Sequence, residues 1–336
     1  MTRPLAAILL KSSVATVALS VMLGLAPVAI GQEAGLPYTD ENCGYTTVYE
    51  QAPRRAVTLS NNATELMLAL GLEDHIAGTS YMANLKISPQ FEAAYKAIPI
   101  LSPLVATTEQ LIDVEADFVY AGYPDGFSES RHTRDQLHDL GMQTRLNTEG
   151  CNLGRFGFAE LYAEIRSVAA IFGVQERGEA LVADLAGRLA AVEDTLLGVE
   201  PISVFIYNGG EAAPNAVLGH TLLSHVIDAA GGANIFGDVA NRYGQVSWEQ
   251  IAAEEPHYIV VFYSGTESGQ VVEDPATRLG QGRIDMLNEN PIIGNVPAIL
   301  GQKFVMIDSV QGQPGPSSVE AVERLARVFH PDAFAQ

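Results

Sequence analysis

The chain is poor in charge, and poorest in positive charge. Charged residues make up 18% of its 336 positions, with 19 Lys and Arg against 40 Asp and Glu, for a formal net charge of −21. That balance excludes a nucleic-acid partner, because phosphate binding needs clustered cations. The acidity reads either as a soluble, salt-tolerant surface or as attraction for a cationic ligand. Cysteine is nearly absent, since Cys43 and Cys151 are the only two and form no CxxC. This excludes a thioredoxin-type redox motif and a Cys-based zinc site. The sequence has no GxSxG elbow, no P-loop and no HExxH, so the common signatures of hydrolases, nucleotide-binding proteins and zinc proteases are missing. Gly280-Gln281-Gly282 lacks the third glycine and the preceding strand of a dinucleotide fingerprint, and reads as a loop. The histidines are scattered: His220 and His225 are five apart and His132 and His138 six apart, so neither pair shares a helical face as metal ligands would. No convincing His and carboxylate set for zinc or manganese stands out.

What is present begins with a targeting pattern. Arg3 and Lys11 precede an uncharged apolar run from Ser12 to Ile30, and Ala29-Ile30-Gly31 offers small residues for cleavage before Gln32. Residues 1–31 are therefore expected to be a signal peptide, the alternative being an uncleaved membrane anchor. No Cys follows the run, which speaks against a lipid anchor. In an oxidising compartment Cys43 and Cys151 are expected to pair, with two buried free thiols as the alternative.

The mature part reads as α/β. Ala56–Leu59, His75–Thr79 and Met142–Leu146 are strand-like and alternate with helical stretches, which calls for a mainly parallel sheet covered on both faces. One unit occurs twice. Ser247-Trp248-Glu249-Gln250 and the strand that follows it repeat Thr107-Thr108-Glu109-Gln110 and its strand without a gap, at an offset of 140 (249 minus 109). Each copy reads as a hydroxyl residue, a Glu-Gln pair opening a short helix, an acidic turn, and a buried strand ending in Tyr. Between the copies, Phe158–Phe172 and Glu176–Leu197 carry apolar residues at helical spacing and no flexible linker. The expected architecture is two Rossmann-like lobes with mainly parallel sheets, over residues 32–157 and 199–336. Linking helices over 158–198 would bridge them through a long rigid helix. Residues 32–53 read as a loosely held, turn-rich lead-in.

Two lobes make a cleft, and ligands of such sheets bind beyond the carboxyl ends of the strands. Those positions bring forward Asn62, Tyr81, Tyr123, Tyr207 and Tyr263, and the stretches Asn241-Arg242-Tyr243 and Trp248 between elements of the second lobe add Arg242 and Trp248. Rings with polar tips and a planar cationic fork suit a bulky ligand with aromatic or anionic groups. Each also has a plainer reading: a half-buried strand end for a Tyr, a surface ion pair for Arg242, core packing for Trp248. Glu109 and Glu249, in first helical turns, have a plain role in helix stabilisation.

The order and spacing of AVTLSNNATELMLALGLEDHIAGTS, TTEQLIDVEADFVYAGY, VLGHTLLSHVIDAAGGANIFGDV and VSWEQIAAEEPHYIVVFYSG resemble the substrate-binding proteins of ABC importers for iron–siderophore complexes, haem and cobalamin. The resemblance implies a monomeric periplasmic protein with no catalytic activity and no cofactor of its own, its ligand held between the lobes and able to carry iron or cobalt. It places permease-docking glutamates at Glu109 and Glu249, facing an inner-membrane permease dimer. The chain departs from the family's Pro-Asp at the end of both units, having Ala116-Asp117 and Pro256-His257. It also lacks the tyrosine of haem-binding members ahead of Glu109. A ferric siderophore is the ligand expected first and cobalamin second. The other readings are a zinc- or manganese-binding protein and a secreted α/β enzyme.

Overall fold

The computed structural model describes residues 1–2, 35–81 and 85–335. The signal-peptide expectation falls on residues 3–31, outside the described residues.

Two sheets organise the chain. In the first half, strands Ile100–Ser102, Ile76–Ser80, Ala56–Leu59, Phe118–Ala121 and Gln143–Leu146 lie side by side in that order, all parallel. Ala56–Leu59 and Phe118–Ala121 are buried at every position, as strands covered on both faces must be. In the second half the parallel core is Gly232–Asn234, Ile202–Tyr207, Tyr258–Tyr263 and Phe304–Asp308. Asn215–Val217 and Tyr243–Gln245 extend that sheet antiparallel. The two-lobed, mainly parallel α/β architecture expected from the sequence is thus present.

The repeated unit has a local cause. Thr107 and Ser247 cap helices Thr108–Asp113 and Trp248–Ala253, each accepting the backbone N–H of Gln110 or Gln250, while that Gln reaches back to the capping residue's N–H. These are capping boxes, which satisfy two otherwise orphaned donors. Thr133 and Gln136 form a third at Arg134–Asp139, with Asp135 in the acidic place. Helix capping therefore accounts for the Gln of each pair, and the acid beside it is exposed.

The link between the lobes is two packed helices, Phe158–Ile171 and Gln175–Thr195, which turn at Gly173 with φ +68°, a conformation that suits glycine. The 21-residue second helix touches both halves. Arg177 donates to the carbonyls of Leu70 and Gly71, and Arg188 pairs with Glu323 of the closing helix Ser317–Phe329.

The lead-in departs from expectation. Tyr38–Asn42 and Tyr45–Tyr49 form a hairpin whose two-residue turn, Cys43-Gly44, has positive φ at both positions, the geometry of a tight hairpin. Its buried residues are Asp40, Asn42 and Thr47 with Tyr49 as the one core ring, so the alternation carries little hydrophobic signature. Arg145 explains why Asp40 is inside, and the Leu146 backbone holds the Asn42 amide. Arg145 pairs with Asp40, and with Glu164 of the linking helix at 2.9 Å, while Tyr120 donates to Glu164 at 2.7 Å. Burial alone disfavours the Arg145 charge, but Glu164 and Asp40 outweigh it and its pKa ends raised. Cys43 and Cys151 are disulfide-bonded with Cα atoms 5.1 Å apart, which pins the hairpin turn to the end of the first sheet.

The lobes also meet directly. Glu65, on helix Asn61–Ala69, accepts hydrogen bonds from Ser88 at 2.9 Å and from Ser317 of the closing helix. Its other carboxyl oxygen is buried with no partner. Burial, with Glu320 and Asp308 nearby, raises its pKa to about 7.

Two consequences can be measured. Replacing Cys43 and Cys151 by Ser releases a 108-residue separation, and the chain-entropy model sets the loss at roughly 4–5 kcal/mol. Denaturant unfolding reads it, and a loss under about 1 kcal/mol would show that the bridge does not constrain the unfolded chain. For Glu65 the folded pKa lies above its ordinary 4.5, so its contribution is present in full below pH 4.5 and lost as pH rises through 7. Glu65→Gln, which keeps the neutral shape, should remove that loss, gaining on the order of 3 kcal/mol over wild type between pH 5 and 9. Parallel stability–pH curves for the two would contradict it.

Candidate functional site

A cavity of about 270 Å³ lies between the lobes. Tyr81, Tyr123, Pro124 and Asp125 line it from the first lobe, and Asn208, Arg242, Tyr243, Phe262, Ser264, Thr266, Ser309 and Gln313 from the second. Tyr81 follows strand Ile76–Ser80 in a left-handed conformation, φ +63°. It meets Tyr123 edge-on, with ring centroids 5.8 Å apart. Burial pushes the Tyr123 hydroxyl well above the usual tyrosine range, against a hydrogen bond with Ser309 that lowers it. Both rings are therefore neutral hydrogen-bonding surfaces at any ordinary pH.

Arg242 is placed by an ion pair that crosses the lobes. Glu149 stands in the turn Thr148–Cys151, beside the disulfide, and is 3% exposed. Its Oε1 accepts the N–H of Leu222, opening helix Leu222–Ala229, at 2.7 Å. Its Oε2 accepts from Arg242 Nη2 at 3.1 Å. A carboxylate at a helix N-terminus is favoured by the backbone dipoles, and here it also receives a cation. Burial raises the Glu149 pKa, while Arg242 and the Leu222 N–H act in the opposite direction.

Of the candidates from the sequence, Tyr81, Tyr123 and Arg242 are brought together on this cavity. The others are placed elsewhere. Asn62 is buried beneath Gly122, where a Cβ would stand 2.4 Å from its Oδ1, and donates to the Pro314 carbonyl at 3.2 Å. Tyr207 is 1% exposed and donates to the Gly210 carbonyl at 3.0 Å. Trp248 packs on it at 5.9 Å and donates to the Glu211 carbonyl at 2.9 Å. Both belong to the core of the second lobe. Tyr263 lines a second inter-lobe cavity of about 360 Å³ with Leu85, Lys86 and Asp308. The hairpin Thr266–Glu267 and Gln270–Val271 contributes Thr266 to the first cavity and Val271 to the second.

Sequence reasoning missed Glu149 and Gln313. Gln313 lies in the Pro- and Gly-rich run before the closing helix, which signalled only a loop. Glu149 lies far from Arg242 in the chain, and no local pattern marks it. Glu109 and Glu249 are exposed, away from the cavity lining. The Glu109 carboxyl is held below its usual range by its own backbone N–H and by Thr107. Among the described residues no three His, Cys, Asp or Glu side chains are gathered as metal ligands would be, and no helix is long and apolar enough to cross a membrane.

Comparison with known proteins agrees with this fold. The chain is 24% identical over 306 residues to a cobalamin-binding protein of Halobacterium salinarum, an alignment covering 88% of this chain and 74% of that one. It is 26% identical over 225 residues to a vitamin B12-binding protein of Yersinia pestis, covering 66% and 73% respectively. The crystal structure of a periplasmic binding protein from Veillonella parvula superposes with a TM-score of 0.77 at 26% identity, covering 88% of this chain and 97% of that one. The model of the periplasmic binding protein family matches residues 57–310. That match spans most of the chain, including both sheets and the link between them, and the chain belongs to the periplasmic binding protein family.

Proposed function

We propose that this protein is the substrate-binding component of an ABC importer and carries a bulky, metal-bearing ligand between its lobes. The observation that carries the reading is the inter-lobe cavity, walled by Tyr81, Tyr123, Tyr243 and Phe262 and furnished with one arginine. Rings give broad contact at small entropic cost, and a cavity of about 270 Å³ grips one edge of a large molecule while the rest projects outward.

A corrinoid is the leading ligand, because the relatives named above are cobalamin- and vitamin B12-binding proteins. A ferric siderophore, the first expectation from the sequence, remains the second reading. Delivery assigns Glu109 and Glu249 to the permease: both are exposed, acidic, and placed at the same point of the same capped helix in each lobe. Cationic side chains on a two-fold permease would meet one from each lobe.

The prediction separates docking from binding. In vesicles holding the cognate permease, Glu109→Ala with Glu249→Ala should abolish ligand uptake while calorimetry shows unchanged affinity and unfolding shows unchanged stability. Uptake at the wild-type rate, or a fall in affinity, would overturn the docking assignment.

A further inference from the structure

We propose that the cavity between the lobes recognises an uncharged carboxamide-type group, read by Gln313 and Arg242 together. This rests on the transport reading above and narrows its ligand.

Gln313 is 2% exposed and lines the cavity from the segment just before the closing helix. Its Nε2 donates to the Tyr243 hydroxyl at 3.1 Å, and its Oε1 is buried with no partner. Arg242, the neighbour of Tyr243 in the chain, gives Nη2 to Glu149, while its Nε is likewise buried with no partner. Buried polar atoms without partners are costly, so few persist without a purpose. Here an unused acceptor and an unused donor belong to two residues that line one cavity from the second lobe, next to Tyr243. A carboxamide supplies the complementary donor and acceptor in a single planar group.

Charge narrows the ligand further. Among the described residues lining the cavity, Arg242 is the only cation, and the buried carboxylate of Glu149 matches it. Asp125 adds a negative charge at the rim. An anionic ligand would enter without an unmatched cation to receive it, and an unpaired buried charge is strongly disfavoured. The rings of Tyr81, Tyr123, Tyr243 and Phe262 meanwhile welcome apolar surface. The favoured ligand is neutral and rich in amides. A corrinoid with its side-chain carboxamides qualifies, as does an uncharged ferric trihydroxamate with backbone amides. A triply anionic ferric tricatecholate does not.

Calorimetry on the whole chain tests this with cyanocobalamin, a neutral cyclic ferric trihydroxamate and a ferric tricatecholate. One neutral probe should bind at least ten-fold tighter than the tricatecholate. Gln313→Leu should weaken that probe ten-fold or more. In the unaltered chain, which guards against a folding defect, the same loss should follow one chemical change in the ligand. For cyanocobalamin the change is conversion of a particular carboxamide to a carboxylate; for the trihydroxamate it is methylation of an amide. Those ligand changes should matter little in Gln313→Leu. Tightest binding of the tricatecholate overturns the inference and leaves the transport reading standing, as does an affinity indifferent to both the residue and the amides. Failure of all three probes to bind overturns both.

Discussion

The arrangement of the cleft depends on one buried carboxylate that crosses it. Glu149 leaves the first lobe from a turn fastened by the Cys43–Cys151 bridge and ends against the second lobe. There it closes the N-terminus of helix Leu222–Ala229 and holds Arg242. Removing either partner of such a pair leaves a buried charge alone, which typically costs about 3–5 kcal/mol. The pair therefore serves chiefly to fix position. It sets where Arg242 stands and leaves its Nε buried with no partner of its own.

The lobes are held at further points by contacts of different chemistry. Glu65 joins Ser88 and Ser317 on one side, and Arg155 donates to His225 at 2.7 Å on another. The long helix Gln175–Thr195 spans both through Arg177 and Arg188. Glycine removes bulk where the linking helices close on each other: a Cβ at Gly178 would stand 2.6 Å from the Ala169 Cβ. A cleft braced at so many places is preorganised, and a binder that is already in shape loses less freedom on taking its ligand.

Much of the fold was legible in the sequence because its signals are local. Continuous apolar strands, glycine stops, helical periodicity and the paired Glu-Gln units each depend on residues close in the chain. The lead-in hairpin was not legible, because its inward face carries Asp40 and Asn42, satisfied by partners a hundred residues away. The site was legible in part. Reasoning from strand ends reached Tyr81 and Tyr123, and from the stretches between elements Arg242. The same reasoning also took in Tyr207 and Trp248, whose polar tips turn out to serve the Gly210 and Glu211 carbonyls. Glu149 and Gln313 escaped it because their significance lies in contacts to the opposite lobe or across a loop, which no spacing records.

The account stands on a ligand seated between Tyr81 and Tyr123 of one lobe and Tyr243 of the other, with the Glu149–Arg242 bridge left whole. A crystal structure of the protein with cyanocobalamin bound tests this most directly. The account predicts ligand density in that cavity and the Glu149–Arg242 separation near its present 3.1 Å. Density confined to another surface, or an Arg242 drawn away from Glu149 onto the ligand, would contradict it.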